Sequence, residues 1–93
     1  MDPNKVKTIR INYLVTSQKF DVTVKNSDTV KDLKSKIADK IGGGITLINL
    51  MIQPNTGRNP RPLPDNDELT ILDAQIHNLS KITIGRDNVK GGN

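Results

Sequence analysis

The chain has 93 residues, a formal net charge of +4, and only one Phe and one Tyr, so its core must be aliphatic. It contains no cysteine, which excludes disulfides, thiolate nucleophiles and cysteine metal sites. Neither a secretory signal nor the roughly 20-residue apolar run of a membrane span is present, so we expect one small intracellular domain, cytoplasmic or nuclear, without membrane contact.

The N-terminal region predicts a β-hairpin. In residues 5–15, KVKTIRINYLV, the side chains of Ile9, Ile11 and Tyr13 alternate with polar ones. After the polar break TSQK, the run FDVTV alternates again over 20–24. Two alternating runs around a short polar break are typical of two paired, half-buried strands.

Residues 26–44 change to a helical period. The apolar positions are spaced by three and four; they are Val30, Leu33, Ile37 and Ile41. Thr29 is a favourable N-cap, and Asp32 three positions later completes a capping box with Asp in place of Glu. Gly42 ends the pattern. The sequence predicts a helix of about 11 to 13 residues.

The remaining segments predict short elements. Residues 45–52, ITLINLMI, predict a third strand, and SKITI at 80–84 predicts a last one. Four prolines between positions 54 and 64 exclude a central strand or a helix interior there. Residues 68–76 fit either a short strand or a helical turn, with Asp73 placed to accept from nearby backbone amides.

This order of elements predicts an α+β roll, in which a mixed sheet packs on one main helix. The last stretch, GRDNVKGGN, has no pattern. We therefore divide the chain into a domain over 1–86 and a flexible C-terminal tail over 87–93.

At this point the sequence resembles the ubiquitin family. The segment SDTVKDLKSKIADKIG resembles the helix region of ubiquitin, including Lys34, Lys36, Lys40 and their spacing to Ile37. TILDAQI at 70–76 is similar to the ubiquitin segment that contains a buried Asp. The resemblance spans roughly residues 8–92 and implies a β-grasp fold, which serves many unrelated functions.

The resemblance also implies a partner-binding surface on the sheet. The positions that correspond to this surface are Leu14 or Val15, Met51, Thr83, Gly85 and Arg86. These residues are more polar than the apolar patch of ubiquitin, so ubiquitin receptors should bind this chain weakly. The matching helix lysines are open to two interpretations, as linkage sites or as surface charges that favour the helix dipole.

Two hypotheses of function follow. In the first, the chain is a protein modifier, processed after Gly92 and conjugated through Gly91–Gly92, since a diglycine can thread a narrow enzyme channel. Asp87 interrupts the basic pattern of the ubiquitin tail, so an activating enzyme dedicated to ubiquitin should discriminate against it. In the second, the chain is a non-conjugated ubiquitin-like docking domain, by itself or as the N-terminal part of a longer protein.

Other chemistry is not indicated. Arg58 and Arg61 lie in the proline-rich insertion 53–62, which is either a docking loop or a tolerated insertion. His77 is the single histidine, so we expect no metal, no other cofactor and no enzyme activity. The basic residues are scattered and aromatic residues are almost absent, which argues against nucleic acid. We expect a monomer whose partners are proteins: activating and conjugating enzymes, a processing protease, or receptors of ubiquitin-like domains.

Overall fold

The computed structural model describes residues 2–91. Strand β1, Val6–Tyr13, and strand β2, Gln18–Lys25, pair antiparallel from Val6 opposite Lys25 to Tyr13 opposite Gln18. The predicted hairpin is confirmed. Its inward positions on β1 are buried, as the alternation predicted, and Phe20 on β2 is partly buried against the core.

Helix α1, Val30–Ile41, begins and ends as the sequence predicts. Thr29 Oγ1 accepts from the amide of Asp32 at 3.1 Å, and the Asp32 carboxylate accepts from the amide of Thr29 at 3.0 Å. This capping box satisfies amides that have no partner inside the helix. Gly42 has a φ of 139° and donates to Ala38 O at 3.0 Å, which ends the helix.

The apolar run after the helix forms two strands, not one. Strand β3 is Ile45–Leu47 and strand β4 is Met51–Gln53. Between them Asn49 adopts a left-handed backbone with φ of 50°, a conformation that Asn tolerates better than most residues. The prediction of a continuous strand over 45–52 is therefore wrong, because this turn takes the chain from one sheet into another.

The proline-rich loop contains a two-residue strand. Strand β5, Arg61–Pro62, pairs with β4 through Met51 opposite Pro62 and Ile52 opposite Arg61. It lies at the edge of the sheet, the position where a proline without an amide hydrogen is tolerated. Residues 71–75 then form consecutive turns, in agreement with the helical-turn alternative.

Strand β6, Lys81–Ile84, is followed by a 3-10 turn, Arg86–Asn88, and by strand β7, Val89–Gly91. β7 pairs antiparallel with β3, with Val89 opposite Leu47 and Gly91 opposite Ile45. The sequence pattern indicated no regular structure after Ile84, whereas residues 86–91 form a 3-10 turn and a short strand. Regular structure extends past the domain limit drawn at residue 86.

The main sheet has the order β2-β1-β6-β4-β5, with β1 and β6 parallel at its centre, and β3 and β7 form a second, two-stranded sheet. The helix contributes Val30, Leu33 and Ile37 to the aliphatic core, each fully buried. The inward residues of all the central strands complete this core. The predicted α+β class, a mixed sheet on one main helix, is confirmed, and the opposite face of the main sheet faces outward.

Candidate functional site

The outward side of the main sheet, here called the outer face, is defined by two rows of side chains from neighbouring strands. The strand registers give the first row as Pro62, Met51, Thr83, Asn12 and Lys19. They give the second row as Gln53, Lys81, Arg10 and Asp21. These positions alternate with the buried ones, so the outer face follows from the period of two along each strand.

Apolar side chains are exposed at one end of the outer face. Met51 is 42% exposed and lies directly opposite Thr83. Leu14 is 54% exposed, and its amide donates to Ile84 O at 2.8 Å, which holds the end of the hairpin beside the end of β6. Val15 follows in the same turn and is 40% exposed. The structure thus brings Leu14, Met51 and Thr83 to one end of the sheet.

Gly85 and Arg86 continue this end of the sheet. Gly85 follows β6 directly, and its amide donates to the side-chain oxygen of Asn88 at 3.0 Å. Arg86 is exposed and begins the 3-10 turn. Both positions therefore follow the end of β6 that carries Thr83, and Arg86 adds a cation there.

The centre of the outer face is basic. A shallow cleft of about 360 Å³ crosses β2, β1 and β6, and its charged lining consists of Arg10, Lys19, Lys81 and Asp21. Three cations share this lining with a single carboxylate. The cleft is therefore suited to an acidic group, whereas the adjoining Met51 end is suited to an apolar one.

The C-terminal segment, residues 86–91, is fastened to the body of the domain by Asn88. The Asn88 side-chain nitrogen donates to Asn49 O at 2.9 Å and to Ile48 O at 3.3 Å. Asn88 O also accepts from the amide of Ile48 at 2.9 Å, and Val89 packs against the core. The segment therefore lies along β3. Gly91 pairs with Ile45, whereas Gly92 lies outside the described residues.

The two arginines of the insertion 53–62 differ in their surroundings. Arg58 is exposed. Arg61 is partly buried, and its Nη2 donates to Gln75 O at 2.6 Å and to Ala74 O at 3.2 Å. Arg61 thereby ties β5 to the turn before β6, a structural role that the sequence pattern did not predict.

Lys7 is a buried residue that the sequence analysis missed. It is 8% exposed, and its Nζ donates to Ile76 O at 2.9 Å. Burial lowers the pKa of Lys7 below its ordinary value of 10.5, and the charge of nearby Lys5 lowers this pKa further. The period of two along β1 could have predicted this burial, because Lys7 lies on the same face of the strand as Ile9 and Ile11.

Two of the three helix lysines that match ubiquitin, Lys34 and Lys36, are engaged in polar contacts. Lys34 Nζ lies 2.9 Å from the Asp67 carboxylate. Lys36 Nζ donates to Thr23 O at 2.7 Å and lies 3.8 Å from the Asp28 carboxylate. These contacts give the two lysines a structural use on the helix surface.

Asp73 is exposed, and its amide donates to Thr70 Oγ1 at 3.1 Å. The expectation that Asp73 would accept from backbone amides is not met, because Thr70 provides the accepting oxygen.

Between residues 2 and 91, acidic, His and Cys side chains form no group of three or more that could hold a metal ion. No helix in that range is long and apolar enough to cross a membrane.

Comparison with known proteins identifies the fold. The C-terminal ubiquitin-like domain of mouse tubulin-specific chaperone e superimposes with a TM-score of 0.66 at 14% identity, over 91% of this chain and 90% of that one. A ubiquitin-like domain of an Arabidopsis thaliana protein gives a TM-score of 0.59 at 20% identity, over 96% of this chain and 80% of that one. A designed protein based on ubiquitin gives a TM-score of 0.57 at 18% identity, over 92% of this chain and 88% of that one.

The chain therefore has the ubiquitin-like β-grasp fold, and the resemblance expected from the helix and residues 70–76 is confirmed at the level of fold. No family model matches the chain, and no curated protein sequence matches it. Ubiquitin-like domains generally bind proteins and are typically non-enzymatic modules. The function of this chain must be argued from its own surface, because one fold supports many functions.

Proposed function

We propose that this protein is a non-enzymatic docking module that binds a partner protein through its outer face. The observation that carries this proposal is the exposed Met51, set in a paired row of polar side chains on the side of the sheet opposite the core. An exposed apolar side chain on a rigid strand is a typical anchor for a partner. Leu14 and Val15 extend the apolar area at the hairpin end.

The charges of the outer face favour an acidic partner segment. Arg10, Lys19 and Lys81 outnumber Asp21 around the central cleft. A partner that places an apolar side chain on Met51 and carboxylates over this cleft would match both features. Because surface charges mainly raise the rate of association, the binding of such a partner should weaken with increasing salt.

The test uses a photo-crosslinking amino acid at position 83, next to Met51, in cells. The crosslinked partner is identified by mass spectrometry, purified, and titrated against wild-type chain by calorimetry. We expect Met51→Ser to weaken binding by about tenfold or more, the size of an interface anchor. Arg10→Glu should weaken it through slower association.

The matched control is Lys31→Glu, which changes the same charge on the exposed helix surface away from the sheet. It should leave the affinity for the crosslinked partner within about twofold. If Met51→Ser and Arg10→Glu bind that partner as tightly as wild type, the outer face is not the docking surface and the proposal fails.

A second candidate function is conjugation, with processing after Gly92 and attachment to target proteins through its carboxylate. The pair Gly91–Gly92 favours it, and so does the small size of the sheet that holds the tail: β3 and β7 pair over three residues each. A two-stranded sheet is marginally stable, so the tail could detach and extend into an enzyme. Conjugation would require that detachment, and for this reason docking is the first proposal.

Conjugation is tested with a chain that ends at Gly92, ATP and candidate activating enzymes. A thioester that forms with wild type and is lost when Gly91 and Gly92 are both replaced by alanine would support it. Cellular protein found only with Asn93 followed by further chain, and without conjugates, would exclude it. We propose the cytoplasm or the nucleus as the site of action for either function.

A further inference from the structure

A second polar cleft, of about 480 Å³, lies between the loop before β5 and the turn before β6. Its polar lining consists of Thr56, Arg58, Asn59, Arg61, Gln75 and His77. None of the described residues that line it is acidic. This basic cleft gathers two guanidinium groups, an imidazole, a hydroxyl and two amides around one space, a set rich in hydrogen-bond donors.

Arg61 is held in place before any ligand arrives. Its Nη2 makes both bonds to the carbonyl oxygens of Ala74 and Gln75, so these bonds do not use the N–H groups of Nη1 and Nε. A guanidinium that is already fixed loses less conformational entropy when it binds an anion. Arg61 therefore forms a rigid part of the basic cleft.

The loop that presents Arg58 is restrained by its own residues. Pro54 and Pro60 lock two of its φ angles, and Gly57 supplies a φ of 80° at the turn between them. His77, on the other side of the cleft, lies between the buried Ile76 and the start of β6. Both sides are thus attached to the main sheet, at β5 and at β6.

We propose that the basic cleft binds a phosphoryl group, carried by a phosphorylated serine of a partner protein. Two arginines and several neutral donors match the three oxygens and the charge of −1.5 to −2 that a phosphoserine bears near neutral pH. A carboxylate, with two oxygens and one charge, would leave part of this donor set unused. The residues lining the cleft include no Phe, Tyr or Trp, and the imidazole of His77 is the one aromatic ring among them, which disfavours the stacking of successive bases of single-stranded nucleic acid.

This site is separate from the outer face. Arg61 pairs with the buried Ile52, whereas Met51, the neighbour of Ile52, belongs to the outer face. Successive side chains on a strand point to opposite faces of the sheet. The phosphoryl site can therefore be tested by itself, and its failure would leave the docking proposal for the outer face intact.

The experiment is a titration of the ¹⁵N-labelled full chain, followed by amide and arginine side-chain NMR signals. The probes are the peptide acetyl-Ala-Ala-phosphoserine-Ala-Ala-amide, its unphosphorylated form, and inorganic phosphate. We expect shifts confined to residues 56–61 and 75–77, with the phosphopeptide binding about tenfold or more tightly than the unphosphorylated peptide. Inorganic phosphate should shift the same signals, but should bind more weakly than the phosphopeptide.

Arg58→Gln is the test variant, since Arg58 is exposed and its loss leaves the bonds of Arg61 in place. It should weaken phosphopeptide binding by about tenfold. Lys31→Gln removes one positive charge on the helix and is the matched control. It should leave the affinity for the phosphopeptide within about twofold.

Three results would overturn the proposal. In the first, the phosphopeptide shifts no signals in the cleft. In the second, Lys31→Gln weakens binding as much as Arg58→Gln, which would indicate general charge attraction. In the third, inorganic phosphate binds as tightly as the phosphopeptide, which would exclude a partner protein as the source of the phosphoryl group.

Discussion

Helix α1 and the C-terminal segment 86–91 are both ordered parts of one domain, but they differ in how much local interactions specify them. The first two amides of the helix, those of Val30 and Lys31, donate to Leu69 O and Asp67 O, yet the start of the helix is also marked by a cap within three residues. The helix is capped by Thr29 and Asp32, three residues apart. The C-terminal segment depends on Asn88, which bonds to carbonyl oxygens 39 and 40 positions away. A locally fixed element can be predicted from a window of sequence, whereas a segment fixed at long range cannot.

The two regions also differ in how much of the domain depends on them. The helix buries three side chains completely in the core, so its loss removes the core itself. The C-terminal segment contributes only the partly buried Val89 to that core. We therefore expect the helix to unfold only with the whole domain and the segment to open by itself.

The largest expected effect comes from Leu33→Ala, because Leu33 is fully buried where the helix meets the sheet. The substitution should lower the free energy of unfolding by about 3 kcal/mol, as for other large-to-small core changes. Urea denaturation followed by circular dichroism measures it, with the exposed Lys31→Ala as control. A loss below about 1 kcal/mol would contradict the central place of the helix in the core.

Thr29→Ala should cost about 1 kcal/mol, the usual effect of removing an N-cap hydroxyl. The amide of Asp32 then loses its 3.1 Å bond to Thr29 Oγ1. The same denaturation experiment measures the change, and Thr56→Ala in the exposed loop is the matched control. Equal stability of the two variants would mean that the helix does not depend on its local cap.

Asn88→Ala should open the C-terminal segment without unfolding the helix. The bonds to Ile48, Asn49 and Gly85 are lost, and we expect hydrogen exchange at the Ile48 amide to become about tenfold faster, as for a loss of about 1.4 kcal/mol. Asn59→Ala in the loop is the control. If the helix amides accelerate to the same extent, the two regions form one cooperative unit and the contrast between them disappears.

The smallest expected effect concerns Lys7, which also depends on a distant carbonyl, that of Ile76. Because the pKa of Lys7 is lowered in the folded chain, the unfolded chain binds more protons as the pH approaches 10.5. The free energy of unfolding should therefore rise with pH between the lowered pKa of Lys7 and 10.5.

Lys7→Met should remove this rise of stability at alkaline pH, whereas Lys19→Met, which replaces an exposed lysine, should keep the rise. Thermal unfolding of the three proteins between pH 8 and pH 10.5 provides the comparison. Identical pH dependence of wild type and Lys7→Met would show that burial does not affect the titration of this lysine.

Much of the candidate site was also within reach of the sequence. The alternation of β6 placed Thr83 on the face opposite Ile82 and Ile84, and the resemblance to ubiquitin assigned Met51 and Thr83 to one surface. The register of β4 and β6 pairs these two residues. The basic cleft was not predictable, because it joins Arg58 and Arg61 to His77. Nothing in the local pattern of 53–62 relates that loop to residue 77. The pairing of β5 with β4 and the bonds of Arg61 to the turn before β6 bring them together.

The sequence by itself determined the hairpin, the helix with its cap and stop, and the α+β class, since each depends on periodicity or on contacts within a few residues. Tertiary structure decided the break at Asn49, the burial of Lys7, the bonds of Arg61 and the strand Val89–Gly91. In each of these, a backbone or side-chain polar group finds its partner far along the chain. Such pairs form only because folding brings distant carbonyls and amides together, and polar groups shielded from water must be paired.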